Sequence, residues 1–230
     1  MSRHHPHRSV NDDLVSMRAA IDELDRAEVA DAIETIGFEC TDCGACCRGD
    51  DADEHVATVF PDEARQLIEE DEQFRDVVQP MPFGLGHDGT GVTIEWSLPT
   101  DDCGDCRFLK FEDEQSHCTR YDRRPSICRT YPFTLRDSPE AAPQGEAIET
   151  VGPVVAHECE GLGTHIDRAS ALTLADELIE RARRSIEEGM SVRGHLAQQV
   201  PGTAASTVVI DSEGPKTAAG TPIDDERPQR

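Results

Sequence analysis

The run Cys40-Thr41-Asp42-Cys43-Gly44-Ala45-Cys46-Cys47 sets the tightest limit on what this chain can fold into. Thiols two residues apart converge on one point because the intervening turn folds back, and Gly44 relieves the backbone there. Three such thiolates in series are common in iron–sulfur ligation, where a fourth ligand arrives from elsewhere in the chain. Tetrahedral zinc sites more often use two separated C-x-x-C pairs. The spacing therefore leans towards iron–sulfur and leaves zinc open. Cys46 and Cys47 are adjacent, and consecutive side chains point in different directions, so one ion is hard to reach for all four thiolates. Two centres, or a multinuclear one, follow. The distant Cys106, Cys118, Cys128 and Cys159 bring the set to eight, enough for two four-thiolate sites, while the ninth cysteine, Cys103, is spare. The radical S-adenosylmethionine pattern C-x-x-x-C-x-x-C does not fit, because the first gap is one residue short. Against metal binding stand two plainer readings, small buried hydrophobes and reversible disulfides; nine cysteines arranged around this motif weigh towards metal.

Composition makes such a site structurally useful. Of 230 residues, apolar types are 37% and aromatics 4%, thin for a self-sufficient core, so coordination is expected to add cohesion. The sequence has no apolar run of membrane-spanning length and no secretory leader pattern, which predicts a soluble, cytoplasmic protein in which clustered thiols are more often metal ligands or redox groups than structural disulfides. The formal net charge of −25 argues against nucleic acid and anionic membranes as partners. Only Lys110 and Lys216 are lysines, and many acids with almost no lysine is a halophilic composition, suited to a salt-saturated cytoplasm. The charge thus reports habitat rather than partner.

One segment breaks the acidic pattern. Arg120, Arg123, Arg124, Arg129 and Arg136 face a single acid, Asp122, beside Cys118 and Cys128. Guanidinium groups there would offset thiolate charge and donate hydrogen bonds to sulfur, the favoured reading. Alternatively they hold an anionic substrate or cofactor, with Arg124 and Arg129 as the candidate binding residues.

Along the chain, residues 1–11 read as a disordered N-terminus whose His4, His5 and His7 are a weak metal signal. Leu14, Met17, Ile21, Leu24, Val29 and Ile33 predict an amphipathic helix over 12–36, interrupted near Asp25-Arg26 and stopped by Gly37. A short strand over 55–60, a helix from Pro61 to about Glu70, a strand over 92–98 and a hairpin from Phe108 to Tyr121 follow. Residues 147–155 read as a further strand, and a long amphipathic helix starts near Ser170. Residues 199–230, rich in Gly, Ala, Thr, Ser, Pro and Asp, read as a disordered tail. The expected fold is one α+β domain over 12–198, small and irregular, with short strands and flanking helices around a metal core whose motifs span 38–163.

The ordered motifs Cys40-x-x-Cys-x-x-Cys-Cys47, Cys106-Arg107-Phe108-Leu109, Cys118-x-x-Tyr121-x-x-Arg124-Pro125-x-x-Cys128-Arg129-x-Tyr131-Pro132-Phe133 and Cys159-Glu160-Gly161-x-Gly163 resemble the YkgJ-type cysteine-cluster proteins, described as zinc- or iron-chelating or iron–sulfur proteins. The resemblance covers about Phe38 to Gly163. It implies that Cys40, Cys43, Cys46, Cys47, Cys106, Cys118, Cys128 and Cys159 are the metal ligands. Arg107 stands where the family often has proline. A related cluster occurs in enzymes said to methylate flagellin lysines, a fold-level analogy only.

His117 and His157 are further candidates for a fifth ligand, though surface positions are the plainer reading. Tyr121, Tyr131, Phe133 and Trp96 are read as core around the metal rather than as a cofactor-stacking box. No nucleophile elbow, phosphate-binding loop, H-E-x-x-H motif or dinucleotide fingerprint is present. The expectation is a metal-binding protein, with iron–sulfur centres for a redox or electron-transfer step and an unknown redox or protein partner. The alternatives are a structural zinc protein or zinc or iron carrier, with Zn2+ or mononuclear iron in place of the cluster, and a methylase-like modifying enzyme.

Overall fold

The computed structural model describes residues 10–49, 56–113, 115–136, 138, 145–197 and 206–223. The three N-terminal histidines lie outside them. The interrupted helix is two helices, α1 (Val10–Asp22) and α2 (Arg26–Ile36). Asp25 makes the break, because its carboxylate accepts the Ala27 N–H at 2.7 Å and caps α2. Val29, Ala30, Ile33 and Ile36 then recur on one helical face, all buried.

The middle of the chain is built from short pieces: β1 (Thr58–Val59), α3 (Pro61–Leu67), α4 (Phe74–Val77), β2 (Gln79–Pro80), β3 (Gly91–Ile94) and β4 (Trp96–Ser97). The strand expected over 92–98 is divided at Glu95, whose φ of +66° turns the chain. As a result β4 lies between β1 and β2 in one antiparallel sheet, while β3 joins another. A hairpin follows, β5 (Leu109–Glu112) with β6 (Gln115–Cys118), then the short helix α5 (Ser126–Thr130). The strands β7 (Phe133–Leu135), β8 (Ala147–Val151) and β9 (Val154–His157) make a sheet in the order β7-β9-β8. The single strand expected over 147–155 is thus the hairpin β8–β9, turned at Gly152-Pro153. The long helix α6 (Arg168–Leu196) is capped by Asp167, which accepts from Ala169 and Ser170.

The two larger of three apolar clusters organise these pieces. In the first, α2 and α6 pack with α1 and the β7-β9-β8 sheet, and Ile33, Phe133, Leu178 and Ile186 are fully buried. The second lies under the cysteine loops and gathers Val59, Leu67, Trp96, Leu98 and Phe108, with Phe74 edge-on to Trp96 at 4.8 Å. Glu63 of α3 joins the two halves: its carboxylate accepts the Ser126 N–H of α5 at 2.9 Å and lies 3.5 Å from Arg184 of α6.

The disordered tail expected over 199–230 needs correction. Residues 206–223 are ordered, with β10 (Thr207–Asp211) and β11 (Gly214–Thr217) forming an antiparallel hairpin whose β10 pairs in parallel with β3. The reason is physical: Val208, Val209 and Ile210 are buried, and the Trp96 indole N–H donates to the fully buried Asp211 at 2.7 Å. Lys216 closes the cluster at 2.7 Å from Asp211 and 2.6 Å from Glu213. No helix among the described residues is long and apolar enough to cross a membrane. The whole is an α+β arrangement of helices and small sheets.

Candidate metal centre

The motif loop leaves α2 through Gly37 and Phe38 and carries Cys40, Cys43, Cys46 and Cys47 around a left-handed corner at Asp42 and Gly44 into a one-turn 3-10 helix, Ala45–Cys47. Gly44 has φ +72°, and a Cβ there would lie 2.6 Å from the Ser116 hydroxyl and 3.0 Å from Leu109. Glycine thus lets the loop press onto the β5–β6 hairpin, where Ser116 donates to the Asp42 carbonyl.

The other cysteines arrive on separate elements. Cys106 is tied to the loop directly, since its N–H donates to the Cys47 carbonyl at 2.7 Å. Cys118 ends β6 opposite Leu109. Cys128 sits in α5, whose N-terminus Glu63 accepts. Cys159 follows β9, and beside it the Glu39 N–H donates to the Gly161 carbonyl at 3.1 Å, while Phe38 bridges Leu162. A Cβ on Gly161 would stand 2.1 Å from the Glu39 carbonyl oxygen, so only glycine permits this approach.

These segments enclose two adjoining cavities. The first, of about 90 Å³, has Cys47, Cys106 and Cys118 in its wall. The second, of about 220 Å³, has Cys43 and Cys159. Cys40, Cys46, Cys128, Arg124 and Tyr131 border both. All eight cysteines of the four motifs face one cavity or the other, and all are free thiols. Cys103 is exposed on the turn held by Asp101 and lines neither.

Burial is the main influence on these thiols. It pushes Cys40, Cys118, Cys128 and Cys159 above the ordinary thiol value and Cys106 to about 11. Cys46 is raised chiefly by its contact with Cys47, sulfur to sulfur 3.9 Å, and then by burial. Thiolates are costly here without a cation, and a soft metal ion supplies one while displacing the thiol protons. The donor set fits zinc or iron on chemical grounds. Among the described residues no three His, Cys, Asp or Glu side chains already stand at coordinating range, so binding requires the thiols to turn inward from the cavity walls.

The arginine segment divides by function. Arg124 borders both cavities and favours the ionised forms of Cys46, Cys118 and Cys128. It lies 3.7 Å over the Tyr121 ring and donates to the Tyr121 carbonyl at 3.1 Å. Arg129 borders the second cavity, donates to the Arg124 carbonyl and is 3.4 Å from Glu177 of α6. Arg120 also borders the first cavity and favours the Cys118 thiolate, but it and Arg123 pair with the acids of the α3–α4 loop, with Arg120 2.6 Å from Glu72.

His117 is exposed and borders the first cavity, whereas His157, expected at the surface, is buried between Thr134 at 3.0 Å and the Gly145 carbonyl at 3.3 Å. The four aromatic residues do not act together: Trp96 and Phe133 belong to different clusters, and Tyr121 and Tyr131 line the cavities. Sequence reasoning missed Glu63, whose acidic first-turn position signalled only a helix start, and Tyr131 as a wall between the cavities.

Free thiols from four segments around adjoining cavities on a small α+β scaffold define a cysteine-cluster metal-chelating domain. The chain belongs to the CxxCxxCC family: the family model described as "Putative zinc- or iron-chelating domain" matches residues 39–160. No curated protein and no solved structure matches it.

Proposed function

We propose that the protein holds iron–sulfur centres on Cys40, Cys43, Cys46, Cys47, Cys106, Cys118, Cys128 and Cys159 and serves a redox or electron-transfer step for a protein partner. The observation that carries this reading is the convergence of eight thiols, and of no other cysteine among the nine, on two adjoining cavities. When bound, such centres accept and return single electrons. The chain's own groups would ligate, keep water out through Phe108, Leu109 and Ile127, and offset charge through Arg124. A reducing cytoplasm suits a protein whose nine thiols are all free.

Metal and acid-labile sulfide analysis of anaerobically purified protein, with a visible spectrum of the same sample, tests the reading. Brown protein with iron and sulfide is expected. Colourless protein with stoichiometric zinc would overturn the iron–sulfur assignment and make the domain a structural or carrier zinc protein.

A further inference from the structure

We propose that the eight cysteines divide into two unlike four-thiolate centres: an inner one of Cys47, Cys106, Cys118 and Cys128, and an outer one of Cys40, Cys43, Cys46 and Cys159. The inference rests on the metal-binding reading above and goes beyond it in assigning ligands to centres and roles to the two.

Backbone contacts pair the segments in this way. The Cys106 N–H bonds the Cys47 carbonyl, and the Leu109 N–H bonds the Cys106 carbonyl, placing β5 and its partner Cys118 beside Cys47. On the other side, Glu39 bonds Gly161 at the glycine contact just described, placing Cys40 beside Cys159. The cavity walls repeat the division, with Cys47, Cys106 and Cys118 only in the smaller cavity and Cys43 and Cys159 only in the larger.

Three thiols border both and are assigned by their surroundings. Cys128 packs with Cys47, Cys106 and Cys118 against the apolar cluster of Leu67, Leu98 and Phe108, which includes no other cysteine, so it belongs inside. Cys40 is exposed and follows the Glu39 contact, so it belongs outside. Cys46 and Cys47 are neighbours on a tight turn, their sulfurs 3.9 Å apart, and only Cys47 packs against that apolar cluster. Cys46 instead borders the larger cavity with Cys43 and Cys159, so it completes the outer set.

The two centres therefore differ in environment. The wall of the inner one is largely apolar, with His117 and Arg120 also bordering it. The outer one has an exposed ligand and a wall carrying Arg129, Glu158 and Glu160. The exposed Cys40 ligand makes the outer centre the one that exchanges metal or meets a partner, and the inner one, with its buried Cys106, the structural anchor.

Graded chelation tests the division. The anaerobically purified protein, with the metal it carries, is titrated with EDTA while N-ethylmaleimide labels released thiols and peptide mass spectrometry maps them. Expected is labelling of Cys40, Cys43, Cys46 and Cys159 as the first half of the metal leaves, and of Cys47, Cys106, Cys118 and Cys128 only with the second half. Labelling of all eight together would overturn it. Serine variants supply a second reading, each checked for folding by circular dichroism. Cys159→Ser and Cys46→Ser are expected to lose the outer half of the metal, and Cys106→Ser and Cys47→Ser the inner half. Exchange of Cys46 and Cys47 between these pairs, or loss of all metal in a folded single variant, would also overturn it. Because the labelling uses the unaltered chain, variants that fail to fold leave it decisive. Protein that carries no metal and takes up none on reconstitution fails the underlying metal reading instead, a distinguishable result.

Discussion

Arg124 acts on three thiols at once, and it can do so because the Tyr121 ring and carbonyl hold its guanidinium at the edge of both cavities. Arg124→Ala removes a cation that favours the thiolate forms of Cys46, Cys118 and Cys128. In metal-free protein, alkylation of these three cysteines at fixed pH is expected to slow, with Arg124→Lys recovering most of the rate. Peptide mapping of iodoacetamide labelling checks this, and an unchanged rate would remove Arg124 from charge compensation. Gly161 is the other residue on which the site turns. Gly161→Ala would place a methyl group 2.1 Å from the Glu39 carbonyl oxygen, so two backbone segments must part. The expected cost is about 1–3 kcal/mol, the usual range for overpacking, read as a shift in denaturation midpoint. The cysteines were legible as a set because each carries its chemistry in its own letter. Glu63 was not, because its partners Ser126 and Arg184 are distant in sequence and no local pattern announces them.

The C-terminal hairpin shows what element-scale reading cannot find. Its first strand is a continuous apolar run, Val208 to Ile210, rather than an alternating one, and its two-residue loop Ser212-Glu213 carries none of the usual Asn-Gly or Gly-X turn signals, so nothing local marked a hairpin in a Gly/Ala/Thr-rich stretch. Its parallel pairing with β3 had no local signal at all, since Val208 and Val92 meet only through the fold. The buried Asp211 fixes the hairpin to Trp96 and Lys216. Asp211→Ala would strand the indole N–H and leave the buried Lys216 ammonium with Glu213 alone, at an expected cost of about 3–5 kcal/mol. Trp96 is the one tryptophan, so its fluorescence follows the loss directly. Glu188 of α6 accepts the Ser212 N–H at 2.7 Å, and burial, with Asp211 nearby, raises its carboxyl above the usual range against the opposing pull of Lys216. A raised carboxyl favours folding while protonated, and that contribution is lost as pH rises from the ordinary carboxylate value through the raised one. Glu188→Gln keeps an acceptor and has no charge to bury. The variant is therefore expected to gain stability relative to the parent between pH 4 and pH 8, measured as the difference in urea midpoint; a constant difference would show that Glu188 does not titrate in this window.

At the scale of the whole molecule, a net charge of −25 opposes compaction, while ion pairs such as Arg26–Asp176 and Arg168–Asp31 stitch α2 to α6. These pairs are exposed, and exposed pairs contribute little. Screening length falls from about 10 Å at 0.1 M salt to about 3 Å at 1 M, which weakens repulsion across the whole surface. Raising KCl from 0.1 to 2 M is expected to raise Tm by on the order of 5 °C, the shift that roughly 1–2 kcal/mol produces in a chain of this size. A fall in Tm would mean that the ion pairs outweigh the repulsion. The α+β class was readable from periodicity, but the division of the core into separate apolar clusters was not, because Glu95 sends one apparent strand into two sheets. The parallel pairing of β3 with β10 also sets an order of events during synthesis. All nine cysteines leave the ribosome before Asp211, the partner of Trp96, has been made. At roughly 5–20 residues per second, the intervening stretch of about fifty residues takes on the order of 3–10 s. For that interval the nascent thiols stand beside an incomplete cluster, and a cell making this protein must hold them reduced, or supply their metal, before the last strand closes.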